Sequence, residues 1–216
     1  RDVLGSRGLG DVYKRQFVGW TTGWVYTKLN APRGLVTLET EIGQQAKTVL
    51  PDGTTVLLNA CSRLTYSLEE WNKTRDVSLE GEAIFDVVHK QDRPFYVHTR
   101  RYDVRVLGTN FNVMAYKNDP EEVVTLKYGK VEIGVPGSSK NMFLKPGESF
   151  VYDNLSGTYR VELRSLKNIY AWKHKEIIFE GNTLEEKKEE LSRHFGYVFD
   201  ICLLYTSPSP RDPKTS

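Results

Sequence analysis

Between Asp76 and Val87 the side chains alternate in character. Val77, Leu79, Ala83, Phe85 and Val87 fall on one side of an extended chain, with Asp76, Ser78, Glu80, Glu82 and Asp86 on the other. A period of two with polar residues outward marks a half-buried strand and does not suit a helix. Val104 with Val106, Phe111 with Val113, and Val131 with Ile133 repeat the pattern on a smaller scale. Turn residues separate these runs, at Pro51-Asp52-Gly53, Asn118-Asp119-Pro120, Pro136-Gly137 and Pro146-Gly147. From about Thr37 to Leu163 the chain reads as strand after strand, so the fold class is mainly β.

A loose internal repeat runs through this region. Val77-x-Leu79-x-Gly81, Val104-x-Val106-x-Gly108, Val124-x-Leu126-x-x-Gly129 and Met142-x-Leu144-x-x-Gly147 each place a glycine after a strand. Glycine there permits a bend or bulge that a side chain resists. Spacings near about twenty residues fit either coils of a short β-solenoid or the stacked hairpins of an antiparallel β-sandwich. The repeat is too irregular to choose.

After Leu163 the character changes. Trp172–Phe179 reads as a strand and Asn182–Phe195 as a helix, with a capping box at Thr183-x-x-Glu186 and a C-cap at Gly196. Leu184, Leu191 and Phe195 form a thin apolar stripe, and the charged run from Glu185 to Glu190 reads as a solvated face. Tyr197–Ile201 begins another strand. The expected unit is the start of a small α+β module.

Both ends read as foreign to the protein. Ser6–Gln16 is the frame translation of a transposase-based sequencing adapter, and Cys202–Asp212 is the translation of its reverse complement. Residues 1–16 and 202–216 are therefore set aside as adapter-derived, as an expression scar is. These flanks hold 6 of the 30 Lys/Arg and 3 of the 28 Asp/Glu, so the remainder carries a net charge of −1 rather than +2. No electrostatic argument for nucleic acid or an anionic membrane survives that correction. Cys202 goes with the adapter, which leaves Cys61 without an internal disulfide partner. A lone thiol suits a reducing compartment slightly better than an oxidising one.

Phe17–Tyr26, FVGWTTGWVY, is far shorter than the roughly 20 apolar residues that span a bilayer. Trp20, Trp24 and Tyr26 fit the interfacial end of a membrane helix or, equally, a buried strand or amphipathic segment. A connector follows to Gly34.

Catalytic patterns are missing from the sequence. The four histidines, His89, His98, His174 and His194, form no HxH, HExxH or His/Cys cluster with metal-ligand spacing. Glu80, Glu82 and Asp86 share a strand face and resemble a glycosidase pair only superficially; a spacing of two along one strand reads as a solvated face. Cys61 lies in NACSRL without a nucleophile signature, and no phosphate-cradling glycine loop occurs. His98 alternates with Phe95 and Val97 and reads as structural or surface.

Several blocks together resemble the periplasmic domain of the FecR family of membrane-bound sigma-factor regulators. They are VLPDGTTVLLNACSRLTY (Val49–Tyr66), Arg75, LEGEAIFDVVH (Leu79–His89), RPFYVHT (Arg93–Thr99), VRVLGTNFNVMAY (Val104–Tyr116), VTLKYGKVEI (Val124–Ile133) and LKPGESFVY (Leu144–Tyr152). Trp172–Ile201 is similar to the first part of the family's C-terminal module, itself like the small signalling domain of secretins and TonB-dependent transporters.

The resemblance implies a FecR-type all-β periplasmic domain over 35–163 and a truncated C-terminal α+β module over 164–201. It makes residues 17–34 the remnant of a transmembrane helix and its connector. It also implies an inner-membrane anti-sigma factor whose periplasmic portion meets an outer-membrane TonB-dependent transducer. A cytoplasmic segment, missing here, would hold an extracytoplasmic-function sigma factor. Such proteins are relays: no enzyme activity, catalytic residue, cofactor, metal or nucleic-acid partner is implied, and no partner-binding residue is assigned. Cys61 falls where the family commonly has a small residue and is expected to pack as a small hydrophobe; a lone periplasmic thiol is in mild tension with the assignment. The competing readings are a carbohydrate-binding β-module of a cell-envelope protein and an enzyme, which requires a cleft with converging polar groups.

Overall fold

The computed structural model describes residues 34–178 and 187–197. The expected membrane remnant, the capping box at Thr183 and the strand after Tyr197 lie outside the described residues. The strands are β1 (Leu35–Glu39), β2 (Ala46–Val49), β3 (Thr55–Leu58), β4 (Arg63–Ser67), β5 (Arg75–Asp86), β6 (Phe95–His98) and β7 (Asp103–Val106). They continue as β8 (Asn110–Ala115), β9 (Glu121–Tyr128), β10 (Val131–Gly134), β11 (Met142–Leu144), β12 (Glu148–Asp153) and β13 (Tyr159–Leu163). Two short helices follow, α1 (Leu166–Tyr170) and α2 (Lys188–Phe195), with a 3-10 turn at Ala171–His174 after α1.

The strands form two sheets that share β5. Sheet A has the order β1-β4-β5-β6-β7-β10-β11, and sheet B the order β2-β3-β5-β8-β9-β12-β13. Among the described strands, β5 with β6 is the one parallel pair; the others are antiparallel. A solenoid stacks parallel coils, so the alternative left open by the repeat resolves to the sandwich.

β5 enters both sheets by turning at Gly81. Its first half pairs with β4 and β6, and its second half, from Gly81, with β3 and β8. Gly81 has φ +96°, and a Cβ there would sit 2.5 Å from Ser62 Oγ and 2.7 Å from Ser62 Cα. The position needs both a left-handed backbone and the room of a missing side chain. Gly129 and Gly147 of the repeat also take positive φ, whereas Gly108 does not.

The alternating rows meet between the sheets. Leu64, Val77, Val97, Val104 and Ile133 face in from sheet A; Val56, Phe85, Phe111, Val124 and Phe150 face in from sheet B, all fully buried. Register puts like against like: Val97 opposite Val104, Phe85 opposite Phe111, Val124 opposite Phe150. Phe85 stacks on Phe111 at 5.2 Å and lies 6.0 Å from Phe95 of the facing sheet. Such pairs add about 0.5–1.5 kcal/mol beyond area burial.

The LPDGT, Arg75 and RPF blocks converge on one buried ion pair. Arg75 opens β5 with its side chain 0% exposed, and its Nη1 donates to Asp52 Oδ2 at 3.0 Å. Arg75 also donates to the carbonyls of Val88 (3.0 Å) and Arg93. Asp52 in turn accepts from the Thr54 amide (3.0 Å) and hydroxyl (2.8 Å). Both charges are hydrogen-bonded, although Arg75 Nε is buried without a partner, and such bonding is the condition for a buried pair to be tolerated.

Two features differ from the sequence reading. Trp172–Phe179 is no strand through residue 178: Trp172 is buried in the 3-10 turn, and Lys175 at φ +60° ends that turn. Burial of the indole under the sandwich overrides the local β-propensity of Trp and Ile. Cys61 does not pack inward; it is exposed, at φ +54° in the turn between β3 and β4. Gly196 does cap α2 as expected, at φ +75° with its amide bonded to the Ser192 carbonyl.

Removing either partner of the Asp52–Arg75 pair should cost about 3–5 kcal/mol in urea unfolding, because it strands a buried charge. The double variant Asp52→Ala, Arg75→Met should recover part of that loss. Single losses below about 1 kcal/mol would show that the pair does not hold the motif together.

Candidate functional site

Part of the outer face of sheet B is closed to solvent. Glu82, Asn112, Thr125 and Ser149 point away from the core yet are buried. The segment after β13 folds back over part of this face. The Trp172 carbonyl accepts from Gln45 Nε2 (2.9 Å), the Tyr170 hydroxyl bonds Asn110 Oδ1 (3.1 Å), and Lys127 Nζ sits over the Tyr170 ring. α2 docks through Arg193. Its guanidinium forms a two-pronged pair with Asp119 (2.7 and 2.9 Å) and lies 3.8 Å from the Tyr116 ring centroid. Its carbonyl accepts from the Gly43 amide at 2.9 Å.

A cleft of about 720 Å³ lies between this segment and the sheet. Glu82, Asn59 and Asn112 stand on the sheet side, and Trp172 and Arg193 on the other. Asn59 Nδ2 donates to Glu82 Oε2 (2.8 Å) and Asn112 Nδ2 to Oε1 (2.9 Å). The Glu82 amide is held by Ser62 Oγ at 2.8 Å, so the turn at Gly81 also places this carboxyl. Burial pushes the Glu82 carboxyl up to about 7; the two amide donors and Arg193 pull it down, and Glu190 raises it further.

The three carboxylates of β5 therefore part company. Glu80 is exposed beside Arg63 (3.5 Å), and Asp86 is exposed and accepts from the Tyr128 hydroxyl (2.5 Å). Glu82 corrects the sequence reading: it does not share their solvated face. Period two gives the side of the strand, and a second layer over that side is not visible in it. The charged run partly closes on itself, with Lys187 paired to Glu190 at 2.5 Å. His98 pairs with Asp103 at 2.7 Å and stacks on Tyr96. Among the described residues no group of three His, Cys, Asp or Glu is placed to hold a metal ion, and no helix is long and apolar enough to cross a membrane.

Sequence reasoning does not find Asn59 and Asn112 as partners of Glu82, nor Trp172 as the opposite wall of the cleft. The available signal is two asparagines, poor strand formers, one just past the end of β3 and one within β8, the strands that flank the second half of β5.

A carboxyl raised from the usual range near 4.5 to about 7 binds its proton more tightly in the folded state. Its contribution is thus fully present below pH 4.5 and is lost as pH rises through 7, with an amplitude of about 3 kcal/mol. In urea unfolding at pH 5 and pH 8, Glu82→Gln should flatten that fall. A pH dependence unchanged by Glu82→Gln would show that the carboxyl is not proton-linked to folding.

The FecR protein family model matches residues 36–161. Two crystal structures of a candidate anti-sigma factor from Parabacteroides distasonis, at 2.50 and 1.65 Å resolution, align with TM-scores of 0.70 at 34% identity. The alignments cover 75% and 74% of this chain and 75% of those chains. No curated protein matches the chain. The matched span contains the ion-paired motif, the shared strand and the Glu82 side of the cleft, and by that match the chain belongs to the FecR family.

Proposed function

We infer that this chain is the periplasmic sensor portion of an inner-membrane anti-sigma factor. It relays a signal from an outer-membrane TonB-dependent transducer to an extracytoplasmic-function sigma factor held by a cytoplasmic segment. The observation that carries the reading is the family match over residues 36–161. The likeness to crystallised candidate anti-sigma factors supports it. The role is contact rather than catalysis.

The contact surface we assign is the free edge of β13. Among the described strands sheet B ends there, and β13 pairs with β12 on its other side. Val161 and Leu163 are 43% and 81% exposed, and Leu155 in the preceding turn is 89% exposed. Val161 lies in register with the core residue Phe150, so the apolar row of the sandwich runs on past its cover. An edge with unpaired backbone groups and an uncovered apolar row accepts an added strand by β-augmentation. The ion pairs of Arg160 and Arg164 with Glu121 and Glu162 stiffen the polar side of the same strand.

In the full-length protein, deleting Trp172–Ile201, the segment that follows this edge, should abolish co-purification with the transducer's signalling domain. Val161→Lys with Leu163→Lys should weaken it at least about tenfold without unfolding the sandwich. Binding that survives both changes would sink the relay reading at this surface.

A further inference from the structure

The cleft between sheet B and the C-terminal segment holds more than the docking contacts need. Its charged side chains are largely committed to one another. Arg193 is bonded to Asp119 (2.7 Å), Arg164 to Glu121 (2.8 Å) and Lys187 to Glu190 (2.5 Å). Both oxygens of Glu82 already accept from asparagine amides. An anion entering here meets carboxylates whose arginines are occupied. A metal ion finds no group of three ligands among the described residues.

Among the buried groups of the cleft, those without a partner are neutral. Asn112 Oδ1 and Trp172 Nε1 are buried and have no hydrogen-bond partner in the structure. Asn112 is 2% exposed and Trp172 5%, and both line the cleft from opposite sides. One is an acceptor and the other a donor. An orphaned buried polar group is costly, so two in one cleft call for a partner that both accepts and donates. A hydroxyl group does both. The cleft, at about 720 Å³, is far larger than a single water and lies within the range of small-molecule sites.

The geometry points to this cleft as a binding site for a small neutral polyhydroxylated molecule, a sugar or polyol, held between Asn112 on β8 and Trp172 after β13. Such a ligand bridges the sandwich and the segment that follows it, so its occupancy sets how firmly that segment docks. The site stands whether or not the β13 edge meets a transducer.

Glucose and glycerol are the probes, added to the full chain while the Trp172 indole N–H resonance is followed. A saturable shift is expected with at least one of them, and Asn112→Leu should weaken it about tenfold. No shift with either probe at molar concentration overturns the assignment, as does a shift that Asn112→Leu leaves undiminished. If Asn112→Leu does not fold, Trp172→Phe carries the test through saturation transfer to the bound probe. Transfer that falls about tenfold supports the site, and undiminished transfer overturns it.

Discussion

β5 can belong to two sheets only because its backbone turns at Gly81, and the rest of the sandwich is arranged around that turn. The first half of the strand is bonded between β4 and β6, the second between β3 and β8. Ser62 occupies the space a side chain at Gly81 would need, and the same hydroxyl accepts from the Glu82 amide. One constraint thus joins the sheets and places a carboxyl beneath the C-terminal segment. Arg75 anchors the start of the strand to Asp52 in the loop between β2 and β3, so the corner is clamped at its beginning as well.

Much of this could be read from the residues. The alternation of Val77, Leu79, Ala83 and Phe85 marks the inward row of β5 through both halves, and all four are buried. The glycine repeat located the turn at Gly81 and the left-handed positions at Gly129 and Gly147. Sandwich and solenoid could not be told apart, because strand pairing is a long-range property and each strand alone looks the same in either. In the sequence Trp172 reads as part of a strand, because its burial in a 3-10 turn depends on contacts that only the folded chain makes. Glu82 reads as solvated for the same reason: alternation reports the side of a strand, not what lies over it.

The motif residues and the functional surface divide differently from what a search for chemistry expects. Asp52, Arg75 and the Arg93 carbonyl, drawn from three quoted blocks, meet in one buried cluster that serves the fold. In the proposed account, recognition falls elsewhere: to the exposed apolar row of β13, and to the neutral orphan groups of Asn112 and Trp172. The exposed residues of the β13 edge can vary without disturbing the sandwich, which lets one scaffold meet different partners.

The central claim is that the β13 edge, rather than another edge of the sandwich, meets the transducer. A photo-crosslinking amino acid placed singly at Leu163, Leu35 and Phe143 in the intact membrane protein samples β13, β1 and β11, all at exposed sites. The account predicts a covalent adduct with the transducer from Leu163 and none from the other two. Adducts from Leu35 or Phe143 instead, or from none of the three, would contradict it.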